Sequence, residues 1–261
     1  MKIGFIGCGN MGGSILDGIL DKGIVSENDV VVSEKSETAI KRLSDKKIKV
    51  VSNKEVAFES DMIFLCVKPN VISEVLEEIK DLCKGKTVVS IAAGIQISTY
   101  ESIIGKNEAI VRVMPNTPAL VGEGMCGICS NEGGKENAKK VKDLLSAVGK
   151  AVIVTETLMD TVTAVSGSSP AMVFMLLEAM ADAGVQGGMT RKDAYTFAAQ
   201  CVLGSAKMVL ETGKHPGELK DMVCSPKGTT IDMVASLEKN GFRNCVVEAL
   251  KVCREKSENM R

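Results

Sequence analysis

Met1-Lys2-Ile3-Gly4-Phe5-Ile6-Gly7-Cys8-Gly9-Asn10-Met11-Gly12-Gly13-Ser14 decides the fold. The first six residues read as a short apolar strand. The next six spell G-x-G-x-x-G, and Ser14 to Leu20 carries an apolar helical face. Strand, glycine loop and helix is the order a dinucleotide-binding unit requires. Gly7 allows the tight turn, Gly9 lets the backbone approach a pyrophosphate, and Gly12 lets the helix pack close to the strand. The helix N-terminus adds free N–H groups and the positive end of its dipole. Ile6, Gly7, Cys8, Gly9, Asn10, Met11 and Gly12 are therefore candidate cofactor-binding residues.

Working outward, strands and helices alternate. Val30 to Val32, Lys49 to Val51, Asp61 to Val67, Thr87 to Ile91 and Ala109 to Met114 read as strands, with helical periodicity between them, as in Val71 to Leu82. Asp61 to Val67 is almost continuously apolar, as a parallel strand buried on both faces should be. This predicts an α/β fold with a doubly wound parallel (Rossmann) sheet. Met125 to Cys129 and Ala151 to Val154 add two strands around a polar helix from Lys135 to Val148. After Thr157 only helical spacing remains, and this part holds nine of the 14 methionines. The expected division is residues 1–157 as the dinucleotide-binding domain and 158–261 as an all-helical domain for substrate binding and dimerisation. Met- and Ala-rich helices pack closely and can do so against a second chain.

Composition narrows the function. The chain has 261 residues and a net charge of −1, with no general attraction to nucleic acid or anionic membrane. No apolar run looks long enough for a membrane span, and Lys2 before an apolar tetrapeptide is too little for a signal peptide. Nine scattered cysteines suit a reducing compartment, so a cytoplasmic protein is expected. Cys126 and Cys129 read as strand packing, because no second pair completes a zinc site. His215 is the only histidine, which excludes a metal site built on imidazoles.

Ligands of parallel sheets bind at the carboxyl edge. Three segments end there: Cys66-Val67-Lys68-Pro69, Ala92-Ala93-Gly94 and Met114-Pro115-Asn116-Thr117-Pro118. Each alone also suits an ordinary turn. Ser33-Glu34-Lys35-Ser36 ends the second strand, where cofactors are distinguished. Glu34 suits a ribose 2′-hydroxyl and NAD, whereas Ser33, Lys35 and Ser36 suit a 2′-phosphate and NADP. Asn53 reads as a helix N-cap or as a contact of the adenosine ribose.

In the helical part, Thr163-Ala164-Val165-Ser166-Gly167-Ser168-Ser169-Pro170 should kink or loosen its helix. Ser225-Pro226 and Thr229-Thr230 read as helix starts, either merely capped or offering N–H groups and hydroxyls to a small carboxylate.

These motifs resemble the pyrroline-5-carboxylate reductase family over nearly the whole chain. The resemblance rests on Gly4 to Met11, Phe64 to Pro69, Ala92 to Gly94, Met114 to Pro118, Val165 to Ala171, Glu178 to Gly184, Leu219 to Pro226 and Gly228 to Ile231. The family usually has glycine at Ala164, Ser169 and Lys227, and an aromatic at Met172. The resemblance implies hydride transfer to the C=N carbon of a cyclic imine, giving L-proline, with NADPH preferred and NADH also accepted. It places Thr163 near the imine nitrogen to deliver or relay the proton; Lys68, at the carboxyl edge, is the second catalytic candidate, and taken alone it reads as a solvated surface lysine. The resemblance assigns Ser225, Gly228, Thr229 and Thr230 to the substrate carboxylate, adds Met222 to the substrate-binding residues, and implies a homodimer or larger ring. Two other readings stand beside it: an enzyme like the 3-hydroxyacid dehydrogenases, and a nucleotide-binding regulator without turnover.

Overall fold

The computed structural model of the chain describes residues 1–260. The apolar runs fold as strands and the periodic segments between them as helices. In order these are β1 (Ile3–Ile6), α1 (Asn10–Asp21), β2 (Val30–Ser33), α2 (Glu37–Asp45), β3 (Lys49–Val50), α3 (Asn53–Glu59) and β4 (Met62–Leu65). There follow α4 (Ile72–Ile79), β5 (Thr87–Ser90), α5 (Ile97–Ile104), β6 (Ala109–Met114), β7 (Gly124–Ser130), α6 (Lys135–Leu145) and β8 (Gly149–Ile153).

The eight strands form one sheet in the order β3-β2-β1-β4-β5-β6-β7-β8. The order reverses at β1, so β1 and β4 flank the switch point where such sheets bind ligands. The sheet is not wholly parallel: β7 pairs antiparallel with β6, and β8 runs parallel to β7. The physical reason lies in the connection. Residues 115–123 between β6 and β7 hold only a short 3-10 turn, too little chain for the crossover a parallel neighbour needs.

Each face of the sheet carries its own core. Ile3, Phe5, Val32 and Phe64 pack with Ile15, Leu16 and Leu145 on one side. Ile6, Ile63 and Leu65 pack with Val56, Leu76 and Tyr100 on the other. Phe5 stacks on Phe64 across neighbouring strands, with ring centroids 4.9 Å apart. Cys126 and Cys129 lie three residues apart on β7, so their buried thiols enter opposite cores. That is the packing role expected of them.

The remaining elements are helical: α7 (Met159–Val162), a π-turn at Thr163–Ser168, α8 (Ser169–Gln186), α9 (Arg191–Thr212), α10 (Pro216–Val223), α11 (Thr229–Lys239) and α12 (Phe242–Glu258). The chain separates into two compact units. The first holds Met1–Ser168 together with the residues from Cys253 onward, and the second is Ser169–Val252. Within the first, Ser257 donates to the buried Asp160 at 2.8 Å, which ties the end of α12 to α7. Within the second, α8 and α9 approach closely. A Cβ on Gly184 would stand 3.0 Å from Ala194 Cβ.

One expectation needs correcting. The helical stretch Glu156–Gln186 is long and apolar enough, by length and composition, to cross a membrane, with mean hydropathy 1.3 over its best window. Its serines, threonines and glycines interrupt the apolar run to the eye. They are near neutral in hydropathy, so the average stays high.

Candidate functional site

The glycine loop leaves β1 and enters α1 as the spacing requires, and its glycines are used differently. Gly7 has φ +85°, and a Cβ there would lie 2.9 Å from the Cys66 carbonyl oxygen. A Cβ on Gly12 would meet Cys66 Cβ and the Gly7 carbonyl at 2.8 Å. These two serve packing and turning. A Cβ on Gly9 would meet nothing within 4 Å, so its missing side chain leaves open space. Gly9 is the N-cap of α1, with no side chain bonded to the free N–H groups of the first turn. That is a cradle an anion fits.

A cavity of about 400 Å³ opens there. Ile6, Gly7, Gly9, Ser33, Glu34, Lys35, Asn53, Cys66, Val67 and Lys68 line it, and Val71 and Val75 complete its wall. Ten candidates from four separate stretches thus meet at the carboxyl ends of β1, β2, β3 and β4. Val71 and Val75 escaped the sequence reading because, at the N-cap and on the apolar face of α4, they belong equally to the core beneath it.

The other expected cofactor residues stand around it. Asn10 and Met11 form the first turn of α1. Pro69 begins the 3-10 turn after Lys68, which is exposed. Ala92, Ala93 and Gly94 leave β5, with Gly94 at φ +79°. Ser90 supports this loop by accepting from the Ala92 N–H at 3.2 Å and from the Tyr100 hydroxyl at 2.6 Å.

Asn53 is not the cap of α3. Ser52 holds that position in a full capping box with Glu55, a Ser-x-x-Glu signal present in the sequence. The Asn53 side chain is free of that duty: it accepts from Ser33 Oγ at 2.7 Å and donates to Glu78 at 2.7 Å. Ser33 and Asn53 are thereby locked together in the cavity wall.

Cys8 faces the core, where burial pushes its thiol up to about 11. Burial also raises Cys66 well above its ordinary value. Both are protonated at neutral pH, so neither acts as a nucleophile.

Thr163 opens the π-turn, and its hydroxyl donates to the Met159 carbonyl at 2.9 Å. π-turns leave carbonyls without their usual helical partners and are common at functional sites. Asn116 fixes this one. Its Nδ2 donates to the Ser166 carbonyl at 3.0 Å, while its Oδ1 accepts from the Met125 N–H at 2.8 Å. The buried Arg112 pairs with Glu156, which also accepts from the Ile97 N–H at 2.7 Å. The signal for Arg112 was a lone charge inside an apolar strand.

In the second unit Ser225, Lys227, Gly228, Thr229 and Thr230 form one continuous turn into α11. Gly228, not a threonine, is the N-cap, and no side chain caps the helix. Thr229 and Thr230 are its first two residues, so the simple capping role is excluded for them. Ser225-Pro226 starts no helix; the Gly228 N–H donates to the Ser225 carbonyl at 3.0 Å to close a turn. Lys227 sits in that turn at φ +57°. Met222 lies exposed near the end of α10.

This sheet order, glycine loop and carboxyl-edge cavity define a dinucleotide-dependent oxidoreductase. Two family models divide the chain. One, described as NADP oxidoreductase coenzyme F420-dependent, matches residues 2–94. The other, described as pyrroline-5-carboxylate reductase dimerisation, matches residues 156–260. The chain is 50% identical to the Escherichia coli pyrroline-5-carboxylate reductase, over 99% of its own length and 98% of that protein. It superposes on a Coxiella burnetii pyrroline-5-carboxylate reductase with TM-score 0.93 and 33% identity, covering 99% of this chain and 98% of that one. A Plasmodium falciparum pyrroline carboxylate reductase solved with NADP bound gives TM-score 0.88 and 36% identity, covering 100% and 98%. The chain belongs to the pyrroline-5-carboxylate reductase family.

Proposed function

We propose that the chain reduces 1-pyrroline-5-carboxylate to L-proline with NADP(H), the last step of proline biosynthesis, in the cytoplasm. The observation that carries the reading is the dinucleotide cavity beside the uncapped start of α1, in a chain half identical along its whole length to a reductase of that name. The cofactor supplies the hydride for the imine carbon. The protein's own work is to bind, to orient and to exclude water.

Ile6 to Gly12, Cys66 to Pro69 and Ala92 to Gly94 hold the dinucleotide. Ser33, Glu34 and Asn53 meet its adenosine ribose. Lys68 lines the same cavity, which favours contact with the cofactor over a proton-transfer role. Thr163 has its own hydroxyl proton committed to the Met159 carbonyl, so its oxygen is left as an acceptor. A protonated imine N–H is a donor, and Thr163 suits holding it in place. Ser225, Gly228, Thr229 and Thr230 take the substrate carboxylate with the free N–H groups at the start of α11, and Met222 supplies apolar contact. On this reading residues 1–157 bind the dinucleotide, while 158–261 bind substrate and assemble a homodimer or larger ring. The dimerisation match over 156–260 supports the last point.

Oxidation of NADPH followed with and without the cyclic imine tests the reading. Turnover only with the imine, and L-proline as product, is the expected result. Dinucleotide binding without turnover would return the chain to the regulator reading.

A further inference from the structure

The end of β2 holds an anion already, and it belongs to the chain. Glu34 Oε2 accepts from the Cys8 N–H at 2.6 Å. Glu34 Oε1 accepts from the Lys35 N–H at 2.7 Å and the Ser36 N–H at 2.9 Å. Three backbone donors, one from the glycine loop and two from the turn into α2, converge on a single carboxylate. Successive N–H groups arranged this way make an anion nest, and α2 adds the positive end of its dipole. The charge is held firmly. Partial burial opposes it, yet the N–H donors of Ser36, Cys8 and Lys35 outweigh that burial and keep the carboxyl below the ordinary range. Arg42, the nearby cation, is otherwise occupied, donating to the Cys8 carbonyl at 3.2 Å and pairing with Asp17 at 3.5 Å.

We propose that Glu34 is the cofactor-specificity residue of this chain: its carboxylate fills the nest that a 2′-phosphate needs, so NADPH binds only by displacing it, whereas NADH keeps it as an acceptor for the ribose 2′-hydroxyl. This rests on the dinucleotide reading of the cavity. The chain then carries an internal competitor against its own phosphorylated cofactor. Removing that competitor exposes three donors, with the Ser33–Asn53 pair alongside, and strengthens NADPH binding. It weakens NADH binding at the same time. Opposite signs for the two cofactors are what separate a specificity role from a structural one.

The test is titration of wild type, Glu34→Ala and Glu34→Gln with NADPH and NADH, read by cofactor fluorescence. Calorimetry with adenosine 2′,5′-bisphosphate and with AMP repeats the comparison without a nicotinamide. In Glu34→Ala the affinity for NADPH and for the bisphosphate rises about tenfold or more, while that for NADH and AMP falls several-fold. Glu34→Gln, uncharged but of the same shape, lies between. An unchanged NADPH-to-NADH ratio in a folded Glu34→Ala variant overturns the assignment, even with full turnover. Failure of wild type to bind either dinucleotide would overturn the cavity reading as well, so the two failures are distinguishable.

Discussion

The two units differ in what they bury. The first seals Phe5, Phe64 and Tyr100 completely, on both faces of a sheet. The second, among the described residues, buries Ala181, Ala194 and Ala198 and no larger apolar side chain. Phe174, Met175, Phe197 and Leu210 stand on its helices more than half exposed. A unit of that size with an alanine-only interior has half a core. Exposed apolar surface on this scale marks an interface. Glu156–Gln186, whose hydropathy reaches that of a membrane span, lies within the stretch matched by the dimerisation family model. The lesson is a division of labour. The sheet unit closes a core on both of its faces, whereas the helical unit leaves its large apolar side chains exposed, as expected of a dimerisation segment.

The largest effects break this contrast directly. Phe197→Asp places a charge on the apolar face of α9, where the side chain is 67% exposed in the single chain. If that face is an interface, light scattering will show loss of the oligomer, and activity will fall with it. An isolated exposed substitution normally shifts stability by no more than about 0.5 kcal/mol. An unaltered mass with full activity would therefore mean that the face meets solvent. The counterpart in the sheet unit is Phe64→Ala, expected to lower stability by about 3–5 kcal/mol in a denaturant melt without changing subunit number.

A finer contrast lies inside the glycine loop. Gly9→Asp has room for its Cβ, so the protein should fold and melt normally. The new carboxylate then faces the pyrophosphate position, and dinucleotide binding should vanish. Gly12→Val, forced against Cys66 and the Gly7 carbonyl, should instead lose stability. Normal NADPH affinity in Gly9→Asp would remove the loop from the site.

How much of this the sequence carried follows from the range of each interaction. Strands such as Met62–Leu65 were legible because apolar runs and proline stops are local. The direction of β7 and β8 was not, since a strand's composition does not encode its orientation. The loosened helix at Thr163 was legible from its cluster of small polar residues, although the particular π-turn was not. The tie between Ser257 and Asp160 spans most of the helical segment and left no local mark. Ser52 and Glu55 carry a local signal, the capping box, that outranks Asn53 for the cap. Glu34 was visible as a choice between cofactors. Its three N–H donors come from two distant stretches of chain, so only the fold brings them together.

Thr230→Val sharpens the reading of the helical unit. Because Gly228 is the cap, losing the Thr230 hydroxyl should leave the melting temperature nearly unchanged. A hydrogen bond to a charged carboxylate contributes roughly 1.5–3 kcal/mol, or about ten- to a hundredfold in KM for the imine. NADPH affinity should not move. An imine KM equal to that of wild type would remove Thr230 from the substrate site.

The smallest expected effect is at Lys227. Its φ of +57° lies in the left-handed region, which disfavours a residue with a Cβ by about 1–2 kcal/mol. Glycine removes that strain but loses about 0.5–1 kcal/mol through its greater freedom in the unfolded chain. Lys227→Gly should therefore raise stability by no more than about 1.5 kcal/mol. If this turn receives the substrate carboxylate, as proposed, the ammonium adds positive charge to it, so at low salt the same variant should raise the imine KM two- to threefold, roughly the loss of a weak, solvent-exposed charge pair. Salt screens such an exposed pair, and the difference should fade at about 0.5 M. Lys227→Ala separates the two contributions, since it removes the charge and retains the strained backbone. If Lys227→Ala leaves KM at its wild-type value in low salt, the lysine contributes only strain to this turn, and the carboxylate is held by the hydroxyls and N–H groups of α11 alone.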